Sequence, residues 1–392
     1  MCGMKNPVRR VAYVHDTNVY GGVEVFLLNL IKYLDPQRYT PTVIVPAFSD
    51  PLRSSPIRFI QQVQHMEIPL IRLPLPSGFP VFNLISQIQK TGLMYKNHKF
   101  DLIHIHTCRP LGARISTISA WLSGISAILR TEHGPPLGVT ASTKFVVKPL
   151  DWMTDFILTV SDANIEDQVK LVHRDRMKLY RSYGGIELNR FLRINTIPEA
   201  KEKIGLDPSL PVVGTVGRLA LEKGHMYLIQ AVPRIIEKYG PVNFLMVGEG
   251  PLEQQLRQLV EELNLGQNVH LTGYVPDLHT YMEAMDIGVM PSIWEGLGLA
   301  LLEFMALGIP TVTSSVPCFQ EVIIDGECGL IASLDEENSL ADHILELLYD
   351  PEWAFRMGQS AFERVNSHFS IQRLAGDMMD LYDRSIASKS QR

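Results

Sequence analysis

Along the chain, hydrophobic and polar positions follow two periods in turn. Short continuous apolar runs, the pattern of strands buried on both faces, are separated by longer segments whose apolar residues recur at helical spacing. In the first half the runs fall at residues 9–15, 41–46, 68–73, 101–106, 127–131 and 156–160. Between them, 23–34 and 82–97 read as helices, the first with Val23, Phe26, Leu27 and Leu30 on one apolar face. In the second half, strands are predicted at 212–216, 244–250, 269–275 and 287–290, a short helix at 299–307, and two closing helices at 351–368 and 371–388. Strand and helix in alternation predict parallel sheets covered by helices, an α/β class.

At 392 residues the chain is too long for one ordinary core and fits two domains. Residues 194–211, with three prolines and little periodicity, mark the boundary region. Charge differs across it: residues 1–190 hold 22 Lys and Arg against 14 Asp and Glu, a net +8, and 191–392 hold 14 against 28, a net −14. The basic half suits anionic lipid headgroups or a phosphate-bearing acceptor, with Arg72, Lys90, Lys96, Lys99, Lys144 and Lys148 as candidates; two unlike lobes attracting each other explain the split equally well. No basic stretch interleaved with aromatics accompanies the charge, so nucleic acid is not expected as a partner. The first ten residues lack the apolar core of a signal peptide, and the longest uncharged stretch near the middle of this half, 115–129, is too short to span a membrane and holds four serines. Cys2, Cys108, Cys318 and Cys328 show neither disulfide-framework nor zinc spacing, which predicts a reduced, cytoplasmic setting.

Candidate chemistry sits in the loops that follow strands. Residues 292–303, SIWEGLGLALLE, hold a strand exit, a loop with Gly296 and Gly298, and a helix start whose free N–H groups suit an anion. Glu295 precedes that helix and Glu303 lies inside it, so both carboxylates can face one pocket and accept hydrogen bonds from sugar or ribose hydroxyls. Arg218 and Lys223, five apart in the loop GRLALEKG after 212–216, can both aim at a diphosphate; Arg218 can also form an ordinary ion pair with Glu222. Gly21 and Gly22 open the first helix and offer backbone donors to a diphosphate or an acceptor, or serve only as a tight turn. His104 and His106 share one face of a strand, with no third ligand nearby to make a metal site, and His133 stands just beyond the next strand tip. Ser161 reads as a helix cap first and a ligand contact second.

The stretch EGLGLALLE followed by ALGIP resembles the E-x7-E signature of the retaining glycosyltransferases of family 4, and GRLALEKG resembles that family's G-R-x-x-x-x-K-G. Its companions also appear: TEHG at 131–134, the 319–329 ending FQEVIIDGECG, and YGGIELNRF at 183–191, where Gly184 and Glu187 replace the usual Asn and Asp. The resemblance implies a GT-B fold, two Rossmann-like doubly wound domains facing a central cleft. It implies an amino-terminal acceptor domain over 1–190, a nucleotide-sugar domain over 191–370, and a last segment, 371–392, that crosses back to the first domain. It further implies that Arg218 and Lys223 bind the diphosphate, Glu295 and His133 the donor sugar and Glu303 the ribose. Gly273, Tyr274 and Val275 would seat the base, and Gly248, Leu297 and Leu299 complete the donor site with the glycines above.

The expected activity is transfer of a hexosyl or N-acetylhexosaminyl group from a UDP- or GDP-sugar to a sugar or lipid-linked acceptor, with retention. Cell-surface polysaccharide, lipid-linked oligosaccharide or glycolipid assembly is the expected setting, at the inner face of a membrane. No cofactor or metal is expected, because the chain contains no Asp-x-Asp and the two cations stand where a metal's charge would act. Neither domain's first helix opens with G-x-G-x-x-G, which argues against a dinucleotide oxidoreductase. A sugar-nucleotide epimerase or hydrolase of the same fold and a non-catalytic glycan-binding protein remain the alternatives.

Overall fold

A computed structural model describes residues 7–15, 21–46, 54–73, 80–108 and 110–390; Cys2 and parts of the looser 47–100 stretch lie outside the described residues. The chain divides into two compact units, Met1–Gly185 with Ile371–Arg392, and Ile186–Ser370.

The first unit runs β1 (Arg9–His15), α1 (Gly22–Lys32), β2 (Tyr39–Val45), α2 (Ser54–His65), β3 (Leu70–Arg72), α3 (Pro80–His98), β4 (Leu102–Thr107), α4 (Arg114–Leu122), β5 (Ala127–Glu132), α5 (Ala141–Trp152), β6 (Phe156–Thr159), α6 (Asp162–Asp167) and β7 (Leu179–Arg181). Its strands lie parallel in the order β3-β2-β1-β4-β5-β6-β7. The strand order therefore reverses between β1 and β4, where His15 pairs in register with His106. Continuous apolar runs give β1, β4 and β5 their central places, since these strands are buried along nearly their whole length.

The second unit runs α7 (Ile197–Lys203), β8 (Val212–Val216), α8 (His225–Tyr239), β9 (Asn243–Val247), α9 (Glu253–Glu262), β10 (Val269–Gly273), α10 (Leu278–Glu283), β11 (Ile287–Met290), α11 (Leu299–Ala306), β12 (Thr311–Ser314), α12 (Pro317–Val322), β13 (Leu330–Ala332), α13 (Ser339–Tyr349) and α14 (Pro351–His368). Its parallel order is β10-β9-β8-β11-β12-β13, with the reversal between β8 and β11. The last helix, α15 (Ile371–Ser390), belongs to the first unit, where buried Tyr382 donates to Tyr13 at 3.0 Å and Tyr39 donates to Asp383 at 2.6 Å.

The division falls at 185/186 rather than 190/191, because the Ile186 amide donates to Phe369 at 2.9 Å and Ile186 pairs with Ser370. The stretch 194–211, read as the boundary region, lies inside the second unit, past the division, and contains α7. Of its three prolines, Pro198 misleads as a breaker: it occupies the first turn of α7, where a missing N–H costs nothing, behind a capping box of Thr196 and Glu199.

Candidate functional site

In an open parallel sheet the strand ends on either side of a reversal leave a crevice at their carboxyl edge. In the second unit that crevice separates the loops after β8 and β11, and the two loops are tied together. Ile293 donates its amide to the Glu222 carbonyl at 2.8 Å, and Lys223 pairs with the Glu295 carboxylate across the gap. Glu295 also accepts from Ser292 Oγ at 3.2 Å, and Ser292 is held in turn by Ser314 Oγ, which donates to its carbonyl at 2.5 Å. Arg218 pairs with Glu222. Both cations are thus compensated by carboxylates, and the simple ion pair with Glu222 is what Arg218 forms here.

Backbone geometry brings these loops close. At Gly224, φ is +64° and an added Cβ would stand 1.9 Å from the Pro291 carbonyl oxygen, so only glycine lets the loop after β8 lie against the loop after β11. Gly298, φ +83°, starts α11 with its Cα against Phe319, where a Cβ would meet the ring at 2.5 Å. The first amides of α11, at Leu299 and Ala300, have no intrahelical acceptor and open toward the same edge. Gly296, Leu297 and Gly298 are buried beside them, and Leu299 is partly so. At the neighbouring strand ends the Gly248 amide donates to the Gly273 carbonyl at 3.0 Å, and Tyr274 stands half exposed before buried Val275.

Glu303 lies one turn into α11, partly buried. Burial pushes its pKa up to about 7, opposed by Arg190, and its carboxylate takes no hydrogen bond among the described residues. A carboxylate left without donors in such a place is ready to accept them from a ligand. Arg190 and Ser292 escaped the sequence reading: Arg190 lies in the junction segment, 113 positions before Glu303, and a single serine carries no signal.

In the first unit the reversal between β1 and β4 collects histidines. His15 Nε2 meets a Glu24 carboxylate oxygen at 2.6 Å, and Glu24 also accepts the Gly21 amide at 2.6 Å. The Gly21 donor expected to face a ligand is therefore taken by the helix's own Glu24, leaving Gly22 as the exposed amide of the pair. His104 and His106 do share a face, with ring centroids 4.2 Å apart, and His106 Nδ1 lies 3.0 Å from His133 Nε2. His104 is pinned at both nitrogens, by Tyr382 at 2.7 Å and Thr131 at 2.8 Å, and burial pushes its pKa down to about 3. Among the described residues no three His, Cys, Asp or Glu side chains cluster as metal ligands. The loop bearing His133 is anchored by its predecessor: Glu132, fully buried, pairs with Arg174 at 2.8 Å and Arg130 at 3.2 Å and accepts from Gln168 at 2.8 Å. Burial raises the Glu132 pKa, but the two guanidiniums outweigh it and hold the carboxyl below its usual range. Ser161 caps α6 by accepting from the Asn164 amide at 3.2 Å, so its cap role is filled.

Residues 196–364 match the family model for glycosyl transferases group 1, and residues 20–190 match that for Glycosyltransferase Family 4. The chain is 26% identical to the UDP-Gal:alpha-D-GlcNAc-diphosphoundecaprenol alpha-1,3-galactosyltransferase of Escherichia coli, across 76% of this chain and 78% of that one. It is 24% identical to the capsular polysaccharide biosynthesis glycosyltransferase CapM of Staphylococcus aureus, across 79% and 84%. Among solved structures, Anabaena HepE in complex with UDP and glucose superposes with a TM-score of 0.81 at 19% identity, covering 96% of this chain and all of that one, which shows the GT-B fold. With family models matched in both units, the chain belongs to family 4 of the glycosyltransferases.

Proposed function

We propose that this glycosyltransferase moves a hexosyl or N-acetylhexosaminyl group from a UDP-sugar to a hydroxyl of a sugar or lipid-linked acceptor, with retention and without a metal. The observation that carries the reading is the Lys223–Glu295 pair at the crevice between β8 and β11, beside Arg218–Glu222. As the bond between sugar and diphosphate breaks, negative charge gathers on the leaving oxygen, and cations placed there lower the barrier. A bound diphosphate takes Arg218 and Lys223 from their carboxylates, and the freed Glu295 turns to the sugar hydroxyls. The first amides of α11 add positive charge to the same edge. Glu303 accepts from the ribose, and Gly273, Tyr274 and Val275 receive the base. His133 serves the donor sugar, as its T-x-H-G motif implies. Retention follows from attack on the face that the leaving group vacates, with the leaving phosphate itself taking the acceptor proton. The choice of UDP, and of a lipid-linked or polysaccharide acceptor, draws on the UDP-galactose enzyme of E. coli, on CapM and on UDP-bound HepE.

Acceptor and membrane belong, in this reading, to the first unit. The helices α3, α4 and α5 pack in succession, and α5 presents Phe145, Lys148 and Trp152 on one exposed face, with Trp152 beside Trp121 of α4 at 5.3 Å. Exposed aromatics around a lysine suit an anionic lipid interface. Lys90 and Lys96 are exposed on α3, whereas Lys144 hydrogen-bonds His173 at 2.7 Å. No described helix is long and apolar enough to cross a membrane.

The test is UDP release from a panel of UDP-sugars, with and without undecaprenyl-diphosphate-linked sugars, in excess EDTA, with the product's anomeric coupling read by NMR. Acceptor-dependent release of UDP and a retained linkage support the reading. Release without acceptor makes the protein a hydrolase or epimerase, an inverted linkage overturns retention, and loss of activity restored by Mg²⁺ or Mn²⁺ overturns the metal-free step.

A further inference from the structure

His106 is fully buried, belongs to no motif used above, and makes one side-chain hydrogen bond, from Nδ1 to Nε2 of His133 at 3.0 Å. Its other nitrogen, Nε2, is buried with no partner among the described residues. That asymmetry fixes the protons. Burial, with His104, His133 and His15 around it, drives the His106 pKa well below its ordinary value, and burial with His15 lowers that of His133, so both rings are neutral. Each neutral ring carries one N–H. If His133 were the donor, the His106 proton would sit on Nε2, an N–H buried without an acceptor, which costs about 1–3 kcal/mol. With the His106 proton on Nδ1, the orphaned atom is only a lone pair, and His133 accepts at Nε2 and keeps its own proton on Nδ1.

We propose that His106 is a positioning residue: it locks His133 in the Nδ1–H tautomer, so that His133 always presents a donor, never a lone pair, to its ligand. The ligand chemistry this selects is an acceptor oxygen, such as a sugar hydroxyl or ring oxygen. The rings cannot readily swing out of this arrangement. His104, held at both nitrogens, packs against His106 with centroids 4.2 Å apart, and Phe26 stands edge-on to His133 at 4.8 Å. Because Tyr382 comes from α15, the last helix of the chain holds the histidine row from below. That His133 serves the donor sugar rests on the function proposed above; that His106 sets its tautomer does not.

The experiment reads the His133 imidazole nitrogens by ¹⁵N NMR in the full-length protein without ligand, assigned by loss of the signals in His133→Gln. The wild type is expected to show Nδ1–H and a bare Nε2; a wild-type His133 protonated at Nε2 overturns the inference outright, with no variant needed. Two substitutions then separate tautomer from packing. In His106→Phe the acceptor nitrogen of His133 loses its donor, and Nε2–H is expected to appear. His106→Asn places an amide N–H close to where Nδ1 was and is expected to restore Nδ1–H; tautomers alike in the two variants overturn the inference. Donor kcat/KM should follow, falling on the order of tenfold in His106→Phe and recovering in His106→Asn. His133→Ala decides the other reading separately: donor kinetics unchanged in that variant removes His133 from the sugar while the tautomer result stands.

Discussion

Lys223 and Glu295 neutralise each other at the crevice of the second unit, with Arg218 and Glu222 doing the same beside them, so the resting site carries both signs of charge in balance. A diphosphate upsets that balance in its own favour, because Arg grips phosphate through two N–H bonds and Lys acts as a point charge. Arg218→Ala and Lys223→Ala should each lower kcat on the order of 10²-fold, the cost of losing one preorganised charge donor. Far-UV circular dichroism should be unchanged, and turnover within about twofold of wild type in both variants would remove the diphosphate assignment. Glu303 allows a test of opposite sign. Its folded pKa, about 7, lies above the ordinary carboxyl value of 4.5, so the folded chain holds a proton that the unfolded chain releases, and stability is lost as pH rises through that interval. Glu303→Gln removes the penalty: its melting temperature should exceed wild type by a margin that grows between about pH 5 and 8. Ribose hydroxyls favour the ionised form, so UDP affinity in the wild type should rise over the same pH range. In Glu303→Gln it should be weaker and flat with pH, as isothermal titration calorimetry would show.

At the scale of elements, short loops carry the chemistry because long strands and helices fix where those loops end. The loop after β5 owes its place to Glu132, the last residue of that strand, which meets Arg130 on its own strand, Gln168 just after α6 and Arg174 beyond it. None of these partners reaches water, since Glu132 and Arg130 are fully buried and Arg174 nearly so. Glu132→Ala leaves buried Arg130 without its carboxylate and Arg174 with Asp151 alone, 2.9 Å away, and should cost about 3–5 kcal/mol, read as a lower urea midpoint at unchanged slope. A loss under about 1 kcal/mol would mean that water enters and replaces the carboxylate. The element that sequence misread most was 194–211. Proline and weak periodicity argue for a domain boundary only when each proline interrupts something, and Pro198 interrupts nothing in the first turn of α7.

For the whole molecule, strand order decides which surfaces are free. In a sheet ordered β3-β2-β1-β4-β5-β6-β7, right-handed crossovers send α3, α4 and α5 to one face, while α1 packs with α15 on the other. The first face exposes Phe145 at 78% and Trp152 at 67%, far more than a lone surface aromatic needs for packing. Phe145→Ser with Trp152→Ser should abolish co-sedimentation with vesicles of phosphatidylglycerol, while Lys148→Glu should weaken it by about 1 kcal/mol or more and make it less sensitive to added salt. Equal binding of the wild type to neutral phosphatidylcholine vesicles would remove the electrostatic part, and retention by the double variant would remove α5 as the contact.

The sequence by itself determined the local pieces: the runs that became β1, β8 and β11, the glycine at the start of α11, the Ser161 cap, and the shared face of His104 and His106. Each depends on spacing within a few residues, where the backbone period alone says which side chains stand together. Tertiary structure decided the partners. Lys223 meets Glu295 across 72 positions and His104 meets Tyr382 across 278. No local period encodes such pairs, because they follow from which strands lie side by side and from where the order of the sheet reverses.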